Sequence, residues 1–262
     1  PELRVGVLAE PMTLHEGEKV ELGGKGIPLP DIAISALLHG QEVLLDDGKL
    51  LLRITEQTET GAVAEVLRGG VLRGRKSLAL PGADLEPPTM TASDVENIRV
   101  AASCGVTGVM QPFVRSRRDL ETVRRALDEN GGANIRLFAK IENQMGLERL
   151  PEFLETADEI VIARGDLGNA MPLWELPAAQ KRIEAQCRKA GKPFMVVTQM
   201  LASMEQNPVP TRAEVSDIFN AVADGAAAVM VTGETAVGKW PVEVIRYLSN
   251  TVQAAERFLQ EG

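Results

Sequence analysis

Two carboxylates in the sequence each follow an apolar run and stand close to a basic residue. Residues 160–163 are apolar and lead into Arg164-Gly165-Asp166, and residues 135–139 are largely apolar and lead into Lys140-Ile141-Glu142. An apolar run followed by a polar turn predicts a buried strand, after which the next side chains are exposed. Because Mg²⁺ and Mn²⁺ prefer oxygen ligands, Glu142 and Asp166 are candidate metal ligands. The other interpretation is that each carboxylate forms a structural ion pair with Lys140 or Arg164.

Other residues near these strand ends could bind an anion or move a proton. Lys140 and Glu142 share one side of a strand, where a lysine could neutralise a phosphoryl group in transfer or an enolate oxygen, or simply be solvated. The backbone at Gly165 and Asp166 could present N–H groups to an anion, or form a plain left-handed turn. Thr198 ends the apolar run 194–197 and could contact substrate, relay a proton or cap a helix.

Five apolar runs of strand length alternate with amphipathic helical segments in the second part of the chain. The predicted strands are residues 108–113, 135–141, 159–163, 193–197 and 226–231. Helices are predicted after Ser116 with an end at Gly131-Gly132, over about 176–190 with a stop at Gly191, and after Thr211. Ser116…Asp119 and Thr211…Glu214 both resemble capping boxes. Repeated β/α units predict a parallel sheet, with a (β/α) barrel as the first choice and a doubly wound sheet as the second.

Polar residues follow each predicted strand, and in a barrel such ends meet on the face that carries active sites. These residues are Arg115, Lys140 with Glu142, Arg164 with Asp166, Thr198 with Gln199, and Thr232 with Glu234.

The first part of the chain has a different pattern. Up to about residue 85, short apolar or alternating segments are separated by the glycine turns Gly23-Gly24, Asp47-Gly48 and Gly69-Gly70, which predicts an all-β module. Leu80-Pro81-Gly82 and Pro87-Pro88 then indicate a hinge or linker.

Composition limits the classes of partner. The chain has 262 residues and a net charge of −9, which argues against nucleic acid as the main partner. No run approaches the roughly 20 apolar residues of a membrane span, and no signal peptide is visible. Cys104 and Cys187 have no metal or redox spacing, so we expect two free, buried thiols in a reducing, cytoplasmic compartment.

Taken together, these motifs resemble the pyruvate kinase family. The matching segments are Lys140-Ile141-Glu142-Asn143, Ala163-Arg164-Gly165-Asp166-Leu167-Gly168, Gly191-Lys192-Pro193, Thr198-Gln199-Met200-Leu201-Ala202-Ser203-Met204, residues 207–217 and Gly233-Glu234-Thr235-Ala236, with Leu80-Pro81-Gly82-Ala83-Asp84 and Val114-Arg115-Ser116 in addition. They occur in the order and at the spacing of the family, and the resemblance covers essentially the whole chain.

The resemblance implies an α/β fold, a TIM-type (β/α)₈ barrel that is incomplete at its N-terminal side and carries an inserted all-β lid. Residues 1–4 would end the third barrel strand, 5–85 would form the lid and 86–262 the remaining β/α units. The first two barrel strands, with the family's phosphoryl-binding Arg and potassium ligands, and the regulatory C-terminal domain have no counterpart in these residues. Gln111-Pro112-Phe113 and Ala79 also depart from the family's usual residues.

The resemblance further implies a reaction, the last step of glycolysis, in which the phosphoryl group of phosphoenolpyruvate moves to ADP to give pyruvate and ATP. By position, Lys140 would stabilise the phosphoryl group, and Glu142 and Asp166 would hold Mg²⁺ or Mn²⁺. The backbone of Gly165 and Asp166 would bind the substrate carboxylate, Thr198 would lie near the enolate carbon, and Lys76 would contact the nucleotide. K⁺ and a homo-oligomer are further expectations. The alternatives are an inactive remnant that serves as a binding module, and a metal-dependent pyruvate aldolase or lyase.

Overall fold

The computed structural model describes residues 3–83, 85 and 87–261, and these form two compact units. The first unit is the chain up to Thr91 with Asn169–Leu173, and the second is Ala92–Gly168 with the chain from Trp174 onward. Pro1, Glu2 and Asp84, which the sequence motifs include, lie outside the described residues.

The first unit consists almost entirely of antiparallel strands. Its elements are β1 (Met12–Leu14), β2 (Lys19–Gly23), α1 (Asp31–Ile34), β3 (Glu42–Leu45), β4 (Leu50–Thr58), β5 (Gly61–Arg68), β6 (Gly70–Leu72) and β7 (Leu78–Ala79). A five-stranded sheet has the order β2–β5–β4–β3–β7, and β1 pairs with β6. Leu50, Leu52 and Ile54 of β4 are buried in one apolar core because alternate residues of a strand share a face. Arg4 belongs to this unit through an isolated bridge to Ser77.

The second unit alternates strands with helices. Its elements are α2 (Ala92–Ala101), β8 (Gly108–Gln111), α3 (Arg117–Glu129), β9 (Arg136–Ile141), α4 (Gln144–Glu148), α5 (Leu150–Phe153), β10 (Glu159–Ala163), α6 (Arg164–Leu167), α7 (Leu176–Ala190), β11 (Phe194–Val197), a 3₁₀ turn (Ala202–Glu205), α8 (Arg212–Ala223), β12 (Ala228–Met230), α9 (Gly233–Ala236) and α10 (Pro241–Glu261).

The strands β8 to β12 form one parallel sheet whose order follows the chain. A doubly wound sheet would reverse its order at a switch point, so that second choice of the sequence prediction is wrong. Sequential parallel pairing is the pattern of a barrel, although the described residues form an open sheet of five strands and not a closed barrel.

The two faces of this sheet are packed differently. In β9, Leu137, Ala139 and Ile141 are fully buried, whereas the alternate residues Phe138 and Lys140 are only partly buried. The face that bears Phe138 also carries a small apolar cluster centred on Val161, Ala163 and Val197, with Met195 and Met230 at its margin. Lys140 therefore projects from the less covered face, beside an apolar patch that limits its hydration.

Local signals fix the ends of the helices. Gly191 ends α7 with φ 62°, a left-handed conformation that glycine adopts at little cost. Thr211 and Glu214 form the complete capping box at the start of α8. At α3, however, the Ser116 side chain makes no capping hydrogen bond, and the Asp119 carboxylate accepts hydrogen bonds from the backbone and guanidinium of Arg115. The resemblance of Ser116…Asp119 to a capping box was therefore misleading.

The sequence prediction did not include the 21-residue α10, which packs against α8. None of the helices in the described ranges, α10 included, is long and apolar enough to cross a membrane.

Candidate active site at the carboxyl ends of the parallel strands

The parallel register brings the predicted site residues of the second unit to one edge of the sheet. Ile141 of β9 is opposite Ile162 of β10, and Ala163 of β10 is opposite Val197 of β11. The residues that follow these positions therefore emerge side by side: Glu142 after β9, the Arg164-Gly165-Asp166 turn after β10, and Thr198 after β11. Alignment of the carboxyl ends follows directly from parallel pairing.

The backbone is strained at this same edge. Among the described residues of the second unit, the non-glycine residues with positive φ are Phe113 at 50°, Thr198 at 72° and Gln199 at 55°. All three lie just after the carboxyl ends of β8 and β11. Bulky or β-branched residues seldom adopt this conformation, and such strain concentrates at functional sites. The sequence did not reveal Phe113 as a site residue.

Glu142 and Lys140 form a close ion pair. The Lys140 Nζ lies 2.5 Å from Glu142 Oε1, and the Glu142 side chain is 0% exposed. Glu142 Oε2 accepts a hydrogen bond of 2.7 Å from the backbone N–H of Phe113. The strained backbone after β8 thus serves to hold the carboxylate that follows β9. The structural ion pair proposed for Glu142 is present, and it leaves a metal-binding role open.

The carboxylates meet the chemical requirements of a hard cation. Glu142 Oε1 is buried and accepts no hydrogen bond of regular geometry from the described residues, since Lys140 approaches it as a charge rather than as an aligned donor. Asp166 is partly buried in the first turn of α6, on the neighbouring strand end. No cluster of three or more His, Cys, Asp or Glu side chains is found within residues 3–83, 85 and 87–261. A cation held by Glu142 and Asp166 would complete its shell with water and substrate oxygens, as Mg²⁺ commonly does.

Thr198 is linked to the turn after β10 and is not the N-cap residue of the helical turn that follows it. Its Oγ1 accepts a hydrogen bond of 2.7 Å from the backbone N–H of Gly165. The next 3₁₀ turn has Leu201, not Thr198, at its N-cap position. The interpretation of Thr198 as a helix N-cap residue is therefore wrong, although its hydroxyl accepts a hydrogen bond from the first turn of α6. The Gly165 N–H, proposed to bind a substrate carboxylate, is engaged by this hydroxyl in the structure.

Arg164 is a residue whose role the sequence did not identify correctly. It was considered as the partner of a nearby carboxylate, but its guanidinium forms an ion pair with Asp217 of α8, 53 residues along the chain. It also donates to the backbone carbonyl of Thr198. No local sequence pattern signals a pairing at that separation.

The last strand end is stabilised by Glu234. Its side chain is buried, and its carboxylate accepts hydrogen bonds from the backbone N–H groups of Thr232 and Leu201. Glu234 thus connects the end of β12 with the loop after β11. These contacts favour a structural role for this polar strand end.

Lys76 lies in the first unit, next to β7. Its Nζ is 2.7 Å from Asp46 Oδ1, and Lys49 Nζ is 3.7 Å from the other oxygen of the same carboxylate. Asp46 lies in the tight β3–β4 turn with φ 49°. The ammonium of Lys76 is partly exposed and could exchange this carboxylate for another anion.

Comparisons with known proteins agree with the fold and the motifs. The family model "Pyruvate kinase, barrel domain" matches residues 12–245. The chain is 39% identical over 267 residues to a pyruvate kinase of Agrobacterium vitis, with 98% of this chain and 55% of that protein covered. It is 34% identical over 264 residues to a pyruvate kinase of Borreliella burgdorferi, with 98% and 55% covered. Over 231 residues it is 42% identical to a pyruvate kinase of Methylorubrum extorquens, with 88% and 47% covered.

The sequential parallel sheet and the polar edge define an α/β protein of the barrel-domain class. With the family model matching most of its length, the chain belongs to the pyruvate kinase family. It spans about half the length of the curated relatives that it matches.

Proposed function

We propose that this chain contributes the substrate- and metal-binding edge of a pyruvate kinase, which moves the phosphoryl group of phosphoenolpyruvate to ADP. The observation that carries the proposal is the Lys140–Glu142 pair, which stands at the same sheet edge as Thr198 and the Arg164-Gly165-Asp166 turn. A fixed cation beside a buried carboxylate suits the recognition of a phosphoryl group and its metal counter-ion. Membership of the family supports the assignment.

Each group at the edge has a task in this proposal. Glu142 and Asp166 would hold Mg²⁺ or Mn²⁺, which when bound would supply positive charge that stabilises the anionic substrate. Lys140 neutralises the phosphoryl group as its bond to the enolate oxygen breaks and a bond to an ADP oxygen forms. The backbone of Gly165 and Asp166 receives the substrate carboxylate. Thr198 lies near the enolate carbon, which takes up a proton to give pyruvate.

The geometry adds a condition to this scheme. Because the Gly165 N–H donates to Thr198 Oγ1, a substrate carboxylate that binds this N–H must displace the hydroxyl. The released hydroxyl is then free to turn toward the enolate carbon. Substrate binding and the orientation of Thr198 are coupled in this way.

The all-β unit is proposed as a lid, with Lys76 as its contact to the nucleotide. A lid that closes over the site would exclude water and limit hydrolysis of the phosphoryl group. Asp46 holds the Lys76 ammonium at 2.7 Å and would yield it to a nucleotide phosphate. Lys76→Met should raise the KM for ADP, whereas Lys49→Met, which removes the more distant partner of Asp46, should leave it near the wild-type value. Equal effects of the two variants on the KM for ADP would contradict the proposed contact of Lys76 with the nucleotide.

The principal test is the formation of pyruvate from phosphoenolpyruvate with ADP and Mg²⁺. It is measured on the 262-residue chain and on the full-length product of its gene. Lys140→Met should abolish turnover, while Lys181→Met, which removes an ion-paired lysine of α7 outside the sheet edge, should preserve it. Absence of turnover in both wild-type proteins would refute the proposal.

K⁺ dependence, assembly into a homo-oligomer and a cytoplasmic location stay predictions from the family. The comparisons give no support to the inactive remnant or to the aldolase and lyase alternatives.

A further inference from the structure

Thr198 has a backbone conformation that requires external support. Its φ of 72° falls in the left-handed region, and the following Gln199 has φ 55°. A β-branched residue in this region is an outlier that persists only where its surroundings hold it in place. The groups that hold Thr198 therefore decide where its hydroxyl points.

Two hydrogen bonds restrain Thr198, and they act on different parts of the residue. The backbone N–H of Gly165 donates to Oγ1 over 2.7 Å and fixes the side chain. Arg164 Nη2 donates to the carbonyl oxygen of Thr198 over 2.8 Å and fixes the peptide that follows it. Consecutive residues of the turn after β10 thus fix both the side chain and the backbone of Thr198.

Arg164 is in turn held by Asp217. Arg164 Nη1 lies 2.6 Å from Asp217 Oδ2, and the guanidinium also donates to the sulfur of Met200. The Arg164 side chain is only 12% exposed, so its charge has limited access to water. A charge-assisted contact in such surroundings is stronger than an exposed ion pair and orients the planar guanidinium.

We infer that Asp217, on α8, is a positioning residue for Thr198 that acts through Arg164. Without the Asp217 carboxylate, the Arg164 guanidinium loses the contact that orients it toward the Thr198 carbonyl. The strained backbone then relaxes toward negative φ, and Oγ1 moves away from the Gly165 N–H. The consequence for catalysis rests on the proposed function, in which Thr198 lies near the enolate carbon and its left-handed backbone keeps the hydroxyl at the sheet edge after substrate has displaced it from the Gly165 N–H. The consequence for the backbone does not rest on that function.

The experiment compares Asp217→Asn with the matched control Asp224→Asn. Asp224 is the C-cap residue of the same helix, forms an ion pair with Lys181 of α7, and has a side chain 28% exposed against 34% for Asp217. Within the described residues, its carboxylate forms no hydrogen bond or ion pair with the turn after β10 or with Thr198. Its substitution therefore reproduces the loss of an ion pair of α8 alone. Asp217→Glu tests rescue, because it retains a carboxylate.

Hydrogen exchange at the Gly165 amide, followed by NMR, reports the hydrogen bond to Thr198 directly. Asp217→Asn should speed this exchange by about tenfold or more, since the bond opens more often. In the pyruvate-forming assay on the full-length gene product, Asp217→Asn should lower kcat by about ten- to a hundredfold. It should change the KM for phosphoenolpyruvate by less than about twofold. Asp224→Asn should change neither the exchange rate nor kcat, and Asp217→Glu should restore both of these in part.

Wild-type exchange at Gly165 in folded Asp217→Asn would overturn the inference, as would the same acceleration in Asp224→Asn. If Asp217→Asn does not fold, Asp217→Ser, which also removes the carboxylate, decides the question, because exchange faster than in Asp224→Asn supports the inference and wild-type exchange opposes it. If the wild-type gene product makes no pyruvate, the proposed function fails, and the exchange rates still test the link from Asp217 to Thr198.

Discussion

The ammonium of Lys140 lies 2.5 Å from Oε1 of Glu142, a carboxylate whose side chain has no exposure to solvent. The two residues are two positions apart at the end of β9, and the second carboxylate oxygen is held by the Phe113 N–H. A buried ion pair adds little net stability, but removal of one partner leaves an uncompensated charge. Stability therefore depends on both residues together.

Lys140→Met should destabilise the metal-free protein by about 3 kcal/mol, because Glu142 is left buried without its counter-charge. The double variant Lys140→Met/Glu142→Gln should recover most of this loss, since no charge then remains to be buried. Urea unfolding of the two single variants and the double variant measures the coupling. Equal stability of Lys140→Met and the double variant would contradict the buried-charge explanation.

Glu142 and Asp166 should each be required for binding of a divalent cation. Glu142→Gln and Asp166→Asn each remove one charged oxygen ligand and should weaken Mn²⁺ binding by about tenfold or more. Titration of free Mn²⁺ by electron paramagnetic resonance measures the affinity without any need for turnover. Glu243→Gln, at an exposed ion pair of α10, is the control and should bind Mn²⁺ as the wild type does. Undiminished binding by both site variants would exclude this pair as the metal ligands.

Glu214 should make the stability of the second unit depend on pH. Burial tends to raise the pKa of this carboxyl, but hydrogen bonds from Ser203 and Thr211 outweigh it and lower the pKa below the ordinary value of 4.5. The stabilisation is therefore complete above about pH 4.5 and is lost as the pH falls through the lowered pKa of the folded state. Glu214→Gln should cost about 1 kcal/mol at pH 7, as expected for loss of a helix cap.

The measurement for Glu214 is urea unfolding between pH 3 and pH 7. The difference in stability between wild type and Glu214→Gln should be constant at the upper end of this range and shrink toward its acid end. Arg212→Gln, at an exposed position of the same helix turn, serves as the control for a change of charge. A stability difference that grows on acidification would show that the pKa of Glu214 is not lowered in the folded protein.

The two cysteines should differ sharply in reactivity. The expectation that both thiols are buried is wrong for Cys104, which is exposed. Cys187 of α7 is buried, and its burial raises the pKa of the thiol to about 12. Because the thiolate is the reactive form, a disulfide reagent at pH 8 should modify one thiol per chain in the native state and two after unfolding in urea. Cys104→Ser should remove the native reaction. Rapid modification of two thiols in the folded protein would contradict the packing around α7.

The sequence determined the local elements of the second unit because their signals are local. β10 and α7 begin and end where the apolar run and the left-handed stop at Gly191 predict, and the capping box of Thr211 and Glu214 is present. The polar residues at the ends of the strands and their placement at one edge also follow from the pattern, once the strands are taken as parallel. The proximity of Lys140 and Glu142 also follows from the sequence, since residues two positions apart on a strand lie on the same side of it.

Only the tertiary structure decided how the edge residues are held. The left-handed backbone of Thr198 and Phe113 carries no sequence signal, because neither residue favours it and only the surrounding contacts impose it. Arg164 was expected to pair with a neighbouring carboxylate, but it pairs with Asp217, 53 residues further along the chain. Contacts of this kind depend on how α8 packs against β12 and α10, which the spacing of residues along the chain does not encode. The sequence by itself therefore determined which chemical groups stand at the sheet edge, and the fold decided their orientation.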